Sequence, residues 1–199
     1  MFTGIVQEVG SVNFVLETET GFSLEIAVQK GFSAGLSKGA SIAANGCCLT
    51  VTRFSEDSIS FDVIKETARI TNLDSLELKD KVNLERSLKF GDEVGGHVLS
   101  GHVSCVADTV LKNQDGEAEL IINCPREWRK YIILKGYVAV NGASLTVAKV
   151  SQESFSVFLI PETLSSTNLS LIQDKDQVNI EIDQTTIATF MALETRLEE

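Results

Sequence analysis

The side chains best suited to proton transfer are two histidines, His97 and His102, both inside Gly95-Gly96-His97-Val98-Leu99-Ser100-Gly101-His102-Val103. Imidazole gives and takes protons near neutral pH, and the flanking glycines permit close approach of backbone or ligand. A strand histidine more often serves structure by holding a hydrogen bond, so type alone leaves both roles open. The best nucleophile is a thiol, and Cys48 stands out because of what answers it elsewhere. Asn45-Gly46-Cys47-Cys48-Leu49-Thr50-Val51 returns 96 residues later as Asn141-Gly142-Ala143-Ser144-Leu145-Thr146-Val147. A position that is thiol in one copy and hydroxyl in the other suits a ligand contact, and the thiol is the stronger nucleophile. The plainer reading is a small buried side chain. Zinc held by His97, His102 and Cys105 is rejected, since the spacing fits no zinc pattern.

These residues sit on a chain that repeats itself. Lys65-Glu66-Thr67 is matched by Pro161-Glu162-Thr163, Thr71-Asn72-Leu73 by Thr167-Asn168-Leu169, and Val82-Asn83-Leu84-Glu85 by Val178-Asn179-Ile180-Glu181, all at an offset of 96. Thr3-Gly4-Ile5-Val6 aligns with Ser100-Gly101-His102-Val103, and Lys38-Gly39 with Lys135-Gly136, at 97. The second copy is therefore expected to lack one residue between its Lys-Gly and its Asn-Gly. So long a period marks duplication of a whole fold, not a stacking array. The copies differ where chemistry could differ: Cys48 against Ser144, Ile5 against His102, Lys65 against Pro161. Thr50/Thr146 and Thr67/Thr163 are shared, as β-formers or as paired hydroxyl contacts.

The elements that must carry these residues are short strands. Phe22 to Val28 and Ser58 to Ile64 alternate apolar with polar. Asn45-Gly46, between Ala40–Ala44 and Cys48–Phe54, is the strongest hairpin signal. Six or so strands per copy at regular spacing predict a small antiparallel barrel, twice: an all-β chain. Phe32 to Leu36 reads as a helical turn, and Pro125 to Tyr131 as a helix with Pro in its first turn. Lys89 to Gly96 is the linker. After Asp183 the period becomes 3.6 residues, with Ile187, Phe190, Met191 and Leu197 on one face, Glu194 as its polar exception, and Thr185 or Thr186 as cap. The predicted units are 1–94, 95–184 and a helix over 185–199. The helix face is expected against a sister subunit or against its own barrel.

A formal net charge of −11 over 199 residues argues against nucleic acid or an anionic membrane as partner. No run reaches the length of a membrane span, and Met1-Phe2-Thr3-Gly4-Ile5-Val6 has no basic leader character. Cys47 and Cys48 would face opposite sides of a strand, and Cys47, paired with Ala143, reads as packing. All four cysteines read as free thiols in a reducing, cytoplasmic setting.

Taken in order, Met1 to Val6, Asn45 to Val51, Lys65 to Leu73, Val82 to Arg86, Gly95 to His102, Lys135 to Val147, Leu159 to Thr163 and Val178 to Asp183 closely resemble the riboflavin synthases, over essentially the full chain. The resemblance implies two six-stranded antiparallel Greek-key barrels from internal duplication plus a C-terminal α-helix, assembled as a homotrimer through those helices. It implies conversion of two 6,7-dimethyl-8-ribityllumazine molecules to riboflavin and 5-amino-6-ribitylaminouracil, without cofactor or metal. One substrate would lie on the N-terminal barrel of one subunit and the other on the C-terminal barrel of a neighbour. Association with lumazine synthase stays open.

Carried over residue by residue, the substrate-binding positions of the first barrel are Gly4, Ile5, Val6, Ser41, Cys48, Leu49, Thr50, Asp62, Val63, Ile64, Lys65, Glu66 and Thr67. Those of the second are Gly101, His102, Val103, Lys135, Ser144, Leu145, Thr146, Ile160, Pro161, Glu162, Thr163, Leu164 and Ser165. Cys48, His102, Ser144, His97 and Asp183 are the catalytic candidates, with His102 and Cys48 acting at the first-barrel half-site. One departure is Asn141, where the resemblance implies an acidic residue; Asp183 is then the remaining carboxylate for Ser144. The alternative is a non-catalytic lumazine- or flavin-binding antenna protein, in which the histidine segment and the second Leu-Thr-Val phrase have degenerated. Both are intact here.

Overall fold

The computed structural model describes residues 1–114 and 116–197. Strands β1 (Glu8–Thr18), β2 (Gly21–Ala27), β3 (Ser41–Ala44), β4 (Cys47–Phe54), β5 (Ser58–Ile64) and β6 (Lys81–Arg86) close a barrel in the order β1-β2-β5-β4-β3-β6. Helix α1 (Lys65–Ile70) lies between β5 and β6. In the second copy, β7 (Cys105–Gln114), β8 (Glu117–Asn123), helix α2 (Arg126–Arg129), β9 (Tyr137–Val140), β10 (Ala143–Val150), β11 (Phe155–Leu159), helix α3 (Pro161–Ser166) and β12 (Gln177–Ile182) repeat the arrangement. All pairings are antiparallel, and β6 lies beside β3, the first of three hairpin-linked strands, which is a Greek key. Closure leaves no sheet edge to be paired by another chain.

Alternation fills each barrel. Leu24, Ile26, Ile42, Phe61 and Leu84 are fully buried in the first, and Leu120, Ile122, Phe155, Val157 and Ile180 lie in the second. Each such burial contributes roughly 1.5–3 kcal/mol. Ile59 and Phe61 become Phe155 and Val157 at an offset of 96, so the large ring moves by two positions while the filled volume changes little.

The one-residue difference between the copies falls elsewhere than the Lys-Gly spacing suggests. Ser11 pairs with Ala27 and Asp108 with Asn123, and the register of β1 shifts between Val12 and Phe14, whereas β7 and β8 run on without a shift. The extra residue is therefore a β-bulge in β1, and the offset is already 96 from β2 onward. Gly39 and Lys135 are the true counterparts: they donate to the Val51 and Val147 carbonyls at 2.9 Å, with φ of 87° and 64°.

The two barrels meet back to back. In each hairpin turn Asn and Gly both have positive φ: 44° and 78° at Asn45-Gly46, 45° and 80° at Asn141-Gly142. The turns abut so closely that a Cβ on Gly46 would stand 2.7 Å from the Gly142 nitrogen. Around them six buried asparagines form one network. Asn72 Nδ2 donates to Asn141 Oδ1 at 3.2 Å and to the Gln177 carbonyl at 3.1 Å. Asn168 Nδ2 donates to Asn45 Oδ1 at 3.0 Å and to the Lys81 carbonyl at 2.9 Å. Asn83 and Asn179 donate across to the Asn141 and Asn45 carbonyls, both at 2.9 Å. Asn141, taken from the sequence as a replaced acid, is the twin of Asn45 in this network.

Two short arms cross between the barrels. Thr3–Val6 enters the first barrel, yet the Gly4 carbonyl accepts from Ser144 N–H at 2.8 Å, and Val6 packs on the second core. Ser100–Val103 enters the second barrel, yet the Gly101 carbonyl accepts from Cys48 N–H at 2.8 Å, and Val103 lies in the first core.

Helix α4 (Gln184–Leu197) starts at an Asp183 cap, not at a threonine: Thr186 N–H and Oγ1 both donate to Asp183 Oδ2 at 2.8 Å. Ile187 packs on the second core, Phe190 meets Tyr131 edge-on at 5.7 Å, and Glu194 pairs with Lys130 at 2.7 Å. That face thus covers its own barrel, while Met191 and Leu193 stay exposed. The side chain of Leu197 and residues 198–199 lie outside the described part. Phe32–Leu36 forms turns, and α2 is a single helical turn after Pro125.

Candidate functional site

Two buried carboxylates hold the arms. Glu85 on β6 accepts from Thr3 N–H at 2.6 Å, Thr3 Oγ1 at 2.7 Å and Gly4 N–H at 3.0 Å. Glu181 on β12 accepts from Ser100 N–H and Oγ at 2.7 Å each, and from Gly101 N–H at 3.1 Å. Burial pushes both carboxyls above the usual range, against the amide and hydroxyl donors that favour the charged form. The sequence shows both as the closing glutamate of the repeated phrase Val82-Asn83-Leu84-Glu85 and Val178-Asn179-Ile180-Glu181.

The anchored arms press on Cys48 and Ser144. A Cβ at Gly101 would stand 2.6 Å from Cys48 Cβ, and one at Gly4 2.6 Å from Ser144 Cβ. Gly101 of the histidine segment and Gly4 of the first arm are thus required by these two side chains. Cys48 and Ser144 are half-buried on β4 and β10, facing outward. Period two places Thr50 and Thr146 on the same outward faces. Ser41 pairs with Thr50 and Tyr137 with Thr146, so the neighbouring strand adds a serine to one face and a tyrosine to the other. Exposed Asp62 and Ile64 on β5, and Ile160 after β11, border these faces.

The crossing of the arms reassigns several residues. Gly101 and Val103, expected at the second barrel, lie on the first, with Gly101 against Cys48; His102, carried over as a second-barrel binding position but expected to act with Cys48, lies on the same arm. Gly4, Ile5 and Val6, expected at the first, lie against Ser144 of the second. His102 is exposed beside the Cys48 contact. Leu49, Val63, Val103 and Leu145 point into the cores and can offer a ligand backbone only. Lys65, Glu66, Thr67, Pro161, Glu162, Thr163, Leu164 and Ser165 form the first turns of α1 and α3, with Glu66 paired to Arg69 at 2.7 Å. Lys135 is exposed in a left-handed turn before β9.

His97 is buried, with Nδ1 2.7 Å from Ser144 Oγ and its ring stacked on Tyr137. Burial holds its pKa below the ordinary imidazole value, while the charge of Asp183 acts the other way. Cys47 is buried on the opposite side of β4, its thiol pushed up to about 12 chiefly by burial. Among the described residues no three His, Cys, Asp or Glu side chains are grouped as a metal would need. A cavity of about 410 Å³ opens at the asparagine network and another of about 490 Å³ beside α1. Neither is lined by Cys48 or Ser144. No helix among the described residues is long and apolar enough to cross a membrane.

Fold and site together define a duplicated six-stranded barrel that presents one outward face twice, each face crossed by an anchored arm. The domain described as "Lumazine binding domain" matches residues 3–87 and again 100–183. A riboflavin synthase of Escherichia coli (strain K12) is 41% identical over 196 residues, covering 98% of this chain and 92% of that protein. One from Chlamydia pneumoniae is 43% identical over 186 residues, covering 94% of this chain and 92% of that protein. The crystal structure of LumP complexed with 6,7-dimethyl-8-(1'-D-ribityl) lumazine superposes with a TM-score of 0.84 at 26% identity, covering 92% of this chain and all of that one. The chain belongs to the riboflavin synthase family.

Proposed function

We propose that the chain converts two molecules of 6,7-dimethyl-8-ribityllumazine to riboflavin and 5-amino-6-ribitylaminouracil. The observation that carries this reading is the outward face made twice from matching residues, with Cys48 in one copy and Ser144 in the other. Joining two like molecules needs two like half-sites that treat them differently. The C7 methyl of one lumazine is acidic because its carbanion spreads into the ring, so a positioned base suffices to remove the proton. The other is activated by nucleophilic addition at C7. At the first-barrel face Cys48 is the candidate nucleophile or stabiliser and His102, carried there by the arm, the candidate proton carrier. Ser144 is the weaker counterpart. Asp183 spends one oxygen on the helix cap and acts on this site through its charge. Face-to-face orientation of the rings supplies much of the rate, since effective molarities reach about 10⁵ M or more in well-oriented pairs.

The reactive faces are open shelves, and Ile64, Ile160, Tyr137 and Ile5 around them are exposed. This supports a homotrimer in which the first-barrel face of one subunit covers the second-barrel face of its neighbour. Met191 and Leu193 on the outer side of α4 are available for that assembly. The functional units are residues 1–94, 95–184 and the stretch from 185 onward. Four unpaired cysteines fit a reducing, cytoplasmic setting. The likeness to LumP supports a binding-only reading as the alternative. Purified protein mixed with 6,7-dimethyl-8-ribityllumazine separates the two: riboflavin fluorescence is expected to rise, and tight lumazine binding without riboflavin would sink the synthase reading.

A further inference from the structure

Nε2 of His97 is a buried polar atom with no hydrogen-bond partner among the described residues. Its ring stacks on Tyr137 at 5.1 Å and 16°, and its backbone N–H donates to the Thr3 carbonyl at 3.1 Å. Beside it, a Cβ on Gly96 would stand 2.5 Å from Ser144 Cβ and 2.8 Å from Ser144 Oγ. Backbone on one side and the ring on the other therefore fix the Ser144 side chain. Cys48, the counterpart of Ser144, has no side-chain hydrogen bond among the described residues, and a thiol is a weak donor.

A neutral imidazole carries one N–H. If Nδ1 accepted the Ser144 proton, that N–H would sit on Nε2, buried with nothing to donate to. If Nδ1–H donates instead, Nε2 is left as a bare acceptor. Among buried backbone groups an orphaned N–H is rarer than an under-satisfied acceptor, and the same preference at the ring favours the second arrangement. Burial of the ring disfavours the charged form as well. Ser144 N–H is already spent on the Gly4 carbonyl, and Ser144 is half-buried on the outward side of β10.

We propose that His97 is a positioning residue of the second barrel: its Nδ1–H donates to Ser144 Oγ and commits the Ser144 hydroxyl proton to an acceptor on the bound ligand, a carbonyl oxygen or ring nitrogen of a pteridine. The ligand's identity rests on the function proposed above; the tautomer does not. The half-sites then differ in hydrogen bonding as well as in nucleophilicity, because Ser144 offers a hydroxyl held by His97 where Cys48 offers a thiol.

With two histidines in the chain, long-range ¹H–¹⁵N NMR of the ligand-free protein resolves both rings, and His102→Gln assigns them. The neutral Nδ1–H tautomer is expected at His97; the Nε2–H tautomer, or a charged ring at neutral pH, would overturn the proposal. A cycle of His97→Ala and Ser144→Ala, read as KM for 6,7-dimethyl-8-ribityllumazine, tests the coupling. His97→Ala should raise KM about tenfold in the parent, the scale of one lost hydrogen bond, and change nothing further once Ser144 is alanine. Equal effects in both backgrounds would make His97 merely structural and defeat the proposal. His97→Asn keeps an N–H near the Nδ1 position and should recover most of the affinity if folding is not the cause. A parent protein that forms no riboflavin would defeat the functional reading while leaving the tautomer result intact.

Discussion

Replacing Asn72 or Asn168 with alanine measures how firmly the two barrels are joined. Asn72→Ala removes the bonds to Asn141 Oδ1 at 3.2 Å and to the Gln177 carbonyl at 3.1 Å; Asn168→Ala removes those to Asn45 Oδ1 at 3.0 Å and to the Lys81 carbonyl at 2.9 Å. Each side chain also accepts a long 3.4 Å contact, from Asn45 Nδ2 or Asn141 Nδ2, which adds little. Asn141 Oδ1 and Asn45 Oδ1 keep a second donor, the backbone N–H of Asn179 and Asn83. Two neutral bonds at about 1 kcal/mol each, plus a partly desolvated carbonyl left unpaired, give about 2–3 kcal/mol per variant. The pseudo-twofold relation makes the two losses equal within about 0.5 kcal/mol, the usual scatter of such measurements. Urea unfolding followed by circular dichroism reads both, with an unchanged slope required so that the midpoint reports stability. A loss below about 1 kcal/mol in either variant, or losses that differ by more than that, would refute the symmetric-network argument.

Cys48→Ser should lower turnover far more than Ser144→Cys in the riboflavin assay; equal, small effects would remove the proposed division of labour. Gly46→Ala should cost more than about 2 kcal/mol, because a left-handed residue with a Cβ costs about 1–2 kcal/mol by itself and its Cβ meets Gly142 backbone at 2.7 Å. Gly39→Ala, with positive φ but open space around it, should lose only the first part; identical losses in thermal melts would contradict the close contact. His97 has a folded pKa below its ordinary value near 6.5, so on acidification the unfolded chain takes up a proton that the native ring resists. The parent should therefore lose stability relative to His97→Asn as pH falls through about 6.5. Glu85 and Glu181, shifted upward, bias stability the opposite way but are present in both proteins and cancel. Parallel urea midpoints of the two proteins from pH 7.5 to about 5.5 would refute the assignment.

The duplication, the barrels and the Asn-Gly turns were legible because each rests on local pattern: a repeated phrase, alternation, and a dipeptide that tolerates two positive φ values. The β-bulge was not, since Lys38-Gly39 and Lys135-Gly136 look alike and only the strand register shows that Gly39 pairs with Lys135. Leu49, Val63, Val103 and Leu145 were swept into the site as members of contiguous motifs, although the two-residue period already turned them inward. The exchange of arms was anticipated only in the placing of His102 with Cys48. It depends on contacts between residues about 140 apart in the chain, Gly4 with Ser144, and no local preference encodes them. Glu85 and Glu181 were visible as a glutamate repeated at the same place in both copies, but their partners were not.

The crossed arms have a further consequence for how such a chain can be assembled. The contact between the halves is isologous: the Gly4 arm meets Ser144 as the Gly101 arm meets Cys48, and the Asn45 turn meets the Asn141 turn. A face that complements itself needs no second kind of partner. Either repeat alone carries both halves of the contact, so two separate copies of one repeat could satisfy every bond in it by exchanging their leading segments. The covalent link from Ser87 to Gly96 then adds proximity rather than complementarity. It also lets the two faces diverge, because a cysteine can be kept in one and a serine in the other.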